Sequence, residues 1–476
     1  MTTTTAYDEV RYSNHPYAQT HPDRLATVAA LHGLPSPDPQ TARVLEIGCG
    51  AGGNLIAMAV ATPGIRALGI DLAAAPIAEG RETIEAIALG NVEVRQGDIS
   101  DLRDGSLGEF DYVIAHGVYT WVPEPVREDL LAMIHAHLAA DGLAYVSYNA
   151  NPGGHLRRAL REGGLWFAAD AAPGAERAER ARELYRFVYE NRAGTKDWWG
   201  GLLESQVKPL VEGPVSRLVH DELGDHWNPV WFADFAARAA AHGLAYVGES
   251  DLTTMLPDRV PSAVAAELQA LVGEDRIRRE QMIDLLRCVF FRQSVLCRDS
   301  RTPVESPDAS VLRDLHFAVR AGEPGDDNPA GLLGSAVALL RSRAPDTVSF
   351  RELRAATSAD PDELADALQA GFLAELVMPH RSPLRAPTVD GVERPTASPL
   401  ARWQTRTSAD VTSLAYTTVR MEQPAARLLL GLLDGTRDRA AIRAEFRERT
   451  GVPLSAEDLD TNLEALAKLF LLTGEG

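Results

Sequence analysis

Residues Arg43 to Asp71 read RVLEIGCGAGGNLIAMAVATPGIRALGID, and this stretch decides the fold. Val44, Leu45 and Ile47 make an apolar run of strand character. The chain then turns through Gly48, Gly50, Gly52 and Gly53 and enters an apolar, alanine-rich helix pattern from Asn54 to Thr62. Pro63-Gly64 stops that helix, and Ala67-Leu68-Gly69-Ile70 reads as a second buried strand ending on Asp71. A β-α-β unit with a glycine turn at its first strand-to-helix junction is where open parallel sheets bind nucleotides.

The spacing fits two ligands. Gly48-x-Gly50-x-x-Gly53 satisfies the dinucleotide fingerprint, with Asp71 at about the expected ~20-residue distance. Glu46-x-Gly48-x-Gly50-x-Gly52 equally satisfies the first motif of proteins that bind S-adenosylmethionine. Glu46 separates the two. A carboxylate at the end of the first strand repels a pyrophosphate, whereas S-adenosylmethionine has no phosphate and carries an ammonium and a sulfonium. The expected cofactor site is therefore Glu46, Gly48, Gly50, Gly52, Asn54 and Asp71, with Leu72 beside it. Asp71 is expected to accept the ribose hydroxyls.

Working outward, YDEVRYSNHPYAQTHPDRLATVAALHGL precedes the first strand, and Pro22-Asp23 opens a helix there. Tyr12 and Tyr17 are expected to cap the cofactor pocket. Beyond Asp71 come a helix over residues 74–89 and a third strand, Asn91 to Arg95. Asp98, with Ile99, lies just past that strand, where an acid can take the adenine amino group or simply cap a turn. Phe110 to Ala115 is a fourth strand running straight into His116-Gly-Val-Tyr119-Thr-Trp121-Val-Pro. A fifth strand, Leu143 to Tyr148, follows the helix of residues 128–139. Five strands alternating with helices predict an open parallel sheet wound on both faces, Rossmann-like, with its ligand across the carboxyl ends. Glu46, Asp71, Asp98, His116 and Tyr148 all fall at such ends. Aromatic faces attract sulfonium and alkylammonium groups, so His116, Tyr119, Trp121 and Tyr148 are the candidate catalytic residues, His116 also touching the cofactor.

From residue 155 the character changes to helical patterns rich in Arg and Glu, apart from the strand-like LAYVGES. His220 and His226 lie among carboxylates, but their spacing matches no metal motif, so no metal is expected. Residues 301–332, rich in Pro, Asp and Gly, read as a linker. Residues 333–476 read as two small modules of winged-helix style. The expected division is thus 1–154, 155–300 and 333–476 around that linker.

The chain carries a net charge of −20 over 476 residues, which argues against nucleic acid as a partner. Cys49, Cys288 and Cys297 make no disulfide framework. The opening MTTTTAYDEV has neither the basic region nor the apolar core of a signal peptide, and no run of ~18 apolar residues occurs, so a cytoplasmic protein without a membrane partner is expected.

The strings YSNHPYAQTHPDRL, VLEIGCGAGGNL, GIDLAAAPIAEG, FDYVIAHGVYTWVP and YVSYNANPGG resemble the bacterial class I methyltransferases that carry a methyltransferase regulatory domain. HDELGDHWNPVWFADFAARAAAHGLAYVGE and LRCVFFRQSVLC resemble the regulatory domain itself. The resemblance covers essentially the whole chain, and its best-known members are rickettsial protein-lysine methyltransferases acting on outer-membrane proteins. It implies S-adenosylmethionine as cofactor and an amine of a protein or peptide, lysine first, as acceptor. A small molecule or biosynthetic peptide is the alternative acceptor, and a homodimer is compatible with either. One departure stands out: relatives usually carry an aromatic and a further Trp in the loop after strand five, where this chain has Ala150 and Gly154. A different acceptor is the expectation from that change.

Overall fold

The computed structural model describes residues 15–192, 194–251, 254, 261–304, 309–320 and 329–474. Tyr12 lies outside them. The helix α1 (Pro22–Leu31) leads into β1 (Arg43–Ile47), α2 (Gly53–Ala61), β2 (Arg66–Asp71), α3 (Ala74–Ala86), β3 (Val92–Gln96), β4 (Phe110–Ala115), α4 (Glu124–His137) and β5 (Leu138–Asn149). β1 is buried along nearly its whole length on both faces, as a central parallel strand must be.

The sheet does not stop at five strands. Its order is β3-β2-β1-β4-β5-β7-β6, where β6 is Leu244–Glu249 and β7 is Phe291–Arg298. β1 to β5 are parallel, and β7 runs antiparallel between β5 and β6. The region expected to be a separate helical middle domain thus supplies the last two strands. An antiparallel closing pair leaves no β-α-β signal, and a long helical insertion separates it from β5. That insertion holds α5 (Gly153–Phe167), α6 (Ala175–Arg192), α7 (Trp198–Leu202), α8 (Lys208–Glu212), α9 (Val215–Asp221) and α10 (Phe232–Ala241). α11 (Ser262–Val272) and α12 (Arg276–Arg287) then join β6 to β7.

Side chains alternate across the sheet, so each face has its own core. Val44, Tyr112, Ile114 and Tyr145 pack with α1 and α2, while Leu45, Val113, Val146 and Tyr148 pack with α4 and α10.

The stretch expected to be a linker carries a 3-10 turn and a strand, β8 (His316–Val319). β8 is the centre of a small sheet, between β10 (Val377–His380) and β9 (Val348–Ser349). Its apolar Leu312, Leu315 and Phe317 are buried in the core shared with α1, against α13 (Gly331–Arg343), α14 (Phe350–Thr357) and α15 (Pro361–Leu373). The Pro, Asp and Gly around this short strand mask it. The last module holds α16 (Pro399–Gln404), the hairpin β11 (Asp410–Thr412) and β12 (Thr418–Arg420), then α17 (Pro424–Leu432), α18 (Arg439–Thr450) and α19 (Ala456–Lys468). No helix among the described residues is long and apolar enough to cross a membrane.

Candidate active site

The glycine turn leaves β1 with Gly48, Gly50 and Gly52 all at positive φ. Gly48 is required twice over: at φ +71° an added Cβ would also sit 2.5 Å from Val118 of the loop after β4. The Gly48 and Cys49 amides donate to the Ile70 carbonyl, tying the turn to the end of β2. Asp71 braces the same turn. Its Oδ2 accepts from the Gly50 amide and its Oδ1 from the Ala73 amide, both at 2.8 Å. Backbone donors therefore orient this carboxylate before any ligand arrives.

Glu46 is buried, only 3% exposed, at the end of β1. Its Oε1 accepts from Asn54 Nδ2 at 2.8 Å, while Oε2 is buried with no hydrogen-bond partner. Burial pushes its pKa up to about 8, the Asn54 bond opposes that rise, and the negative Asp71 adds to it. A buried carboxyl with a free oxygen beside an open glycine turn leaves a polar atom for a ligand to satisfy, and a cation placed there would favour the ionised form. Beyond Gly50 and Gly117 there is open space, since an added Cβ meets no atom within 4 Å at either. These features fit S-adenosylmethionine: Glu46 for its ammonium, Asp71 for its ribose hydroxyls. They do not fit a dinucleotide, whose phosphates would face Glu46.

Asp98 is exposed past β3, and its Oδ1 accepts from the Ser100 amide at 2.9 Å as the cap of a short 3-10 turn that includes Ile99. Leu72 is 52% exposed next to Asp71. Tyr17 approaches from the N-terminal side, its amide donating to Asn54 Oδ1 at 2.8 Å and its ring 4.1 Å from the His116 ring.

The loop after β4 divides its aromatics between the faces. His116 stays on the Tyr17 side, where its Nδ1 lies 3.1 Å from the Tyr145 hydroxyl and 3.2 Å from Ser147 Oγ. Burial lowers its pKa to about 4, so the ring is neutral at pH 7. Tyr119 and Tyr148 go the other way. Both are fully buried, packed with Phe235 of α10 at 5.2 and 4.2 Å. The Tyr148 hydroxyl bonds Ser294 Oγ at 2.9 Å. The structure does not bring Tyr119 and Tyr148 together with His116: strand alternation at β5 sends Tyr145 and Ser147 toward His116, and Tyr148 into the opposite core. Trp121 is half-buried and reaches the insertion, 3.4 Å from where a side chain on Gly224 would begin.

Two groups that sequence reasoning missed lie against His116. Tyr145 and Ser147 hold His116, and the alternation of β5 could have found them. Phe291, the first residue of β7, is 41% exposed with its ring 6.5 Å from that of His116. No local pattern points to it, because the sheet alone brings it there. Of the two positions that depart from the relatives after β5, Ala150 pairs with Val230, and Gly154 lies in α5, where an added Cβ would sit 2.4 Å from Pro229.

Residues 44–142 match the family described as a methyltransferase domain, residues 215–298 a predicted methyltransferase regulatory domain, and residues 393–452 the C-terminal winged helix domain of PKMT. The uncharacterized protein RP028 of Rickettsia prowazekii is 31% identical over 234 residues, which span 49% of this chain and 93% of RP028. The chain belongs to the class I methyltransferases with a regulatory domain. The uncharacterized protein RP789 of the same organism is 34% identical over 293 residues, 62% of this chain and 52% of RP789, so the chain spans about half of that relative's length. The structure of PKMT2 from Rickettsia typhi superposes with a TM-score of 0.83 at 23% identity, covering 97% of this chain and 100% of PKMT2. A second structure of PKMT2 is a complex with AdoHcy, at the same score. The likeness extends the shared fold through the winged-helix modules.

Proposed function

We propose that this protein is an S-adenosylmethionine-dependent methyltransferase that methylates an amine of a protein or peptide, with lysine as the acceptor residue. The observation that carries the reading is the buried Glu46 carboxyl with its unpartnered Oε2, set beside an open glycine turn and the backbone-braced Asp71. When bound, S-adenosylmethionine supplies an electrophilic methyl group on a sulfonium. Glu46 and Asp71 bind and orient its two ends, and Asp98 Oδ2 is left for the adenine amino group.

His116, Tyr17 and Phe291 make an aromatic mouth at the methyl end, suited to an alkylamine. An acceptor lysine must lose a proton before attack, its unperturbed pKa being about 10.4. Desolvation in that mouth lowers it, and the neutral His116 ring, held at Nδ1 by Tyr145 and Ser147, orients the amine while the proton leaves to water. A positioned in-line displacement needs little further help from a base. A polypeptide acceptor is supported by the shared fold with PKMT2 and by the winged-helix family match at residues 393–452.

Incubation with labelled S-adenosylmethionine and candidate protein, peptide and small-molecule acceptors, read by mass spectrometry, tests the reading. Label on lysine side chains is expected. Label only on small molecules would move the acceptor class, and calorimetric binding of NAD but not S-adenosylhomocysteine would sink the cofactor assignment.

A further inference from the structure

We propose that Tyr416 is a positioning residue for the cofactor site: through its hydroxyl the C-terminal module fixes the Asn54 amide and, through that amide, the Glu46 carboxyl. The inference rests on the methyltransferase reading of Glu46.

Tyr416 sits on the turn between β11 and β12, 362 residues along the chain from Asn54. Its side chain is buried, 5% exposed, and its ring meets the edge of His21 at 4.8 Å. Its hydroxyl donates to the Asn54 carbonyl oxygen at 2.8 Å and also lies against Asn54 Oδ1. The backbone at Tyr416 has φ +61°, the left-handed region that costs a bulky L-residue free energy unless its surroundings hold it there. A hairpin turn has no need of a tyrosine in that conformation. Docking the hydroxyl behind the glycine turn supplies a reason.

Hydrogen-bond chemistry then dictates what the docking does. The Tyr17 backbone N–H, 2.8 Å from the Asn54 amide, can only donate, so the amide atom facing it is the oxygen. The one proton of the Tyr416 hydroxyl is shared between that same oxygen and the Asn54 carbonyl, so it too requires an oxygen there. Nδ2 must therefore face the other way, where it donates to Glu46 Oε1 at 2.8 Å and Thr20 Oγ1 at 3.0 Å. A donor at Oε1 favours the ionised carboxyl, while Oε2 stays open for a cation. Among the described residues, the titratable groups facing Glu46 are Asp71 at the end of β2, Cys49 in the glycine turn and Tyr416 itself. None of them is a cation, so Asn54 is the one group that favours Glu46 ionisation, and Tyr416 aims it. The coupling is reciprocal: a ligand that ionises Glu46 strengthens the docking of the C-terminal module.

Tyr416→Phe keeps the ring and its contact with His21 and removes only the hydroxyl. Calorimetry of S-adenosylhomocysteine on the full chain from pH 6 to 9 compares it with the wild type and with Tyr112→Phe. The latter removes another buried hydroxyl, bonded to the Pro37 carbonyl at 2.6 Å, remote from Glu46. Tyr416→Phe is expected to bind roughly three- to thirtyfold more weakly at pH 7, the worth of about one buried hydrogen bond. The deficit should shrink as pH rises and Glu46 ionises without help, and Tyr112→Phe should match the wild type. Wild-type affinity and pH profile in Tyr416→Phe would overturn the proposal, as would an equal loss in both variants. A wild-type protein that binds no S-adenosylhomocysteine would sink the methyltransferase reading and this proposal together, and is distinguishable because it fails before any variant is compared.

Discussion

On the β1–β2 side of the sheet edge, the polar groups Glu46, Asn54 and Asp71 come from one short continuous stretch, Glu46 bonded by the Asn54 side chain and Asp71 by backbone amides. On the β4–β5 side the candidate groups are Tyr17, His116, Tyr145, Ser147 and Phe291, which only the assembled sheet brings together. The proposed cofactor half is local but for Tyr17 and Tyr416, which close on Asn54 from afar; the proposed acceptor half is wholly tertiary. That difference predicts how each half fails. Damage to the first should weaken ligand binding with modest effects on folding, whereas damage behind the second should reach the fold itself.

The largest effect should come from Arg292, which anchors β7 behind the acceptor half. It is 3% exposed and pairs with Glu249 at 2.7 Å, Asp284 at 2.8 Å and Glu280 at 3.1 Å, with its guanidinium 3.9 Å over the Phe232 ring. Arg292→Met would leave three buried carboxyls without their cation, a cost of about 3–5 kcal/mol. A fall of roughly 5–15 °C in the thermal midpoint of the main transition is expected by calorimetry. A shift below ~2 °C would show that β7 is not what holds the acceptor half.

Asp71→Ala comes next and attacks the cofactor half. S-adenosylhomocysteine affinity should drop by roughly ten- to a hundredfold, since two hydroxyls lose their acceptor. The midpoint should fall by a few degrees at most, because what Asp71 braces, the Gly50 and Ala73 amides among it, lies in one surface turn. Unchanged affinity would remove Asp71 from the site.

A smaller effect separates the two faces of the β4 loop. His116→Ala should lower turnover on the true acceptor by about tenfold, less than the roughly hundredfold or more of a full acid–base contribution, because a positioned in-line displacement needs little help from a base. Tyr119→Phe and Tyr148→Phe should leave turnover within about twofold, Tyr148→Phe losing ~1 kcal/mol of stability with its Ser294 bond. The reverse pattern would put the acceptor slot on the α10 face.

The same division governs what the sequence could tell. The β-α-β unit, its glycine turn and its two acids were legible because motif, strand end and site coincide within one stretch. The aromatic loop was legible as a place but not as a geometry. His116, Tyr119 and Trp121 look alike in sequence, and only the course of the loop after β4 sends Tyr119 inward beside Tyr148. β6 and β7 were hidden because an antiparallel closing pair after a helical insertion breaks the β-α-β rhythm. β8 was hidden because its four residues sit amid Pro, Asp and Gly. Tyr416 carries no local signal at all, its role being set by a contact across the whole chain.

The finest test concerns Glu46 alone, and its effect varies smoothly with pH. In the free protein burial holds its pKa at about 8, against 4.5 for an ordinary glutamate, so between those values the folded protein is protonated at Glu46 and the unfolded chain is not. The folded state therefore binds the extra proton, and the stability of the free protein should fall as pH rises through that window and level off above about 8. A ligand ammonium needs the ionised carboxyl, so binding in the same window must release a proton. The affinity for S-adenosylhomocysteine should then rise with pH, by at most tenfold per unit below about 8, and flatten above it. Its calorimetric enthalpy at pH 7 should depend on the ionisation enthalpy of the buffer, in the direction of proton release. Glu46→Gln should bind more weakly and abolish both the buffer dependence and the slope. A flat affinity from pH 6 to 9 in the wild type would mean that the carboxyl is already ionised without its ligand, and that something other than the cofactor's cation satisfies Oε2.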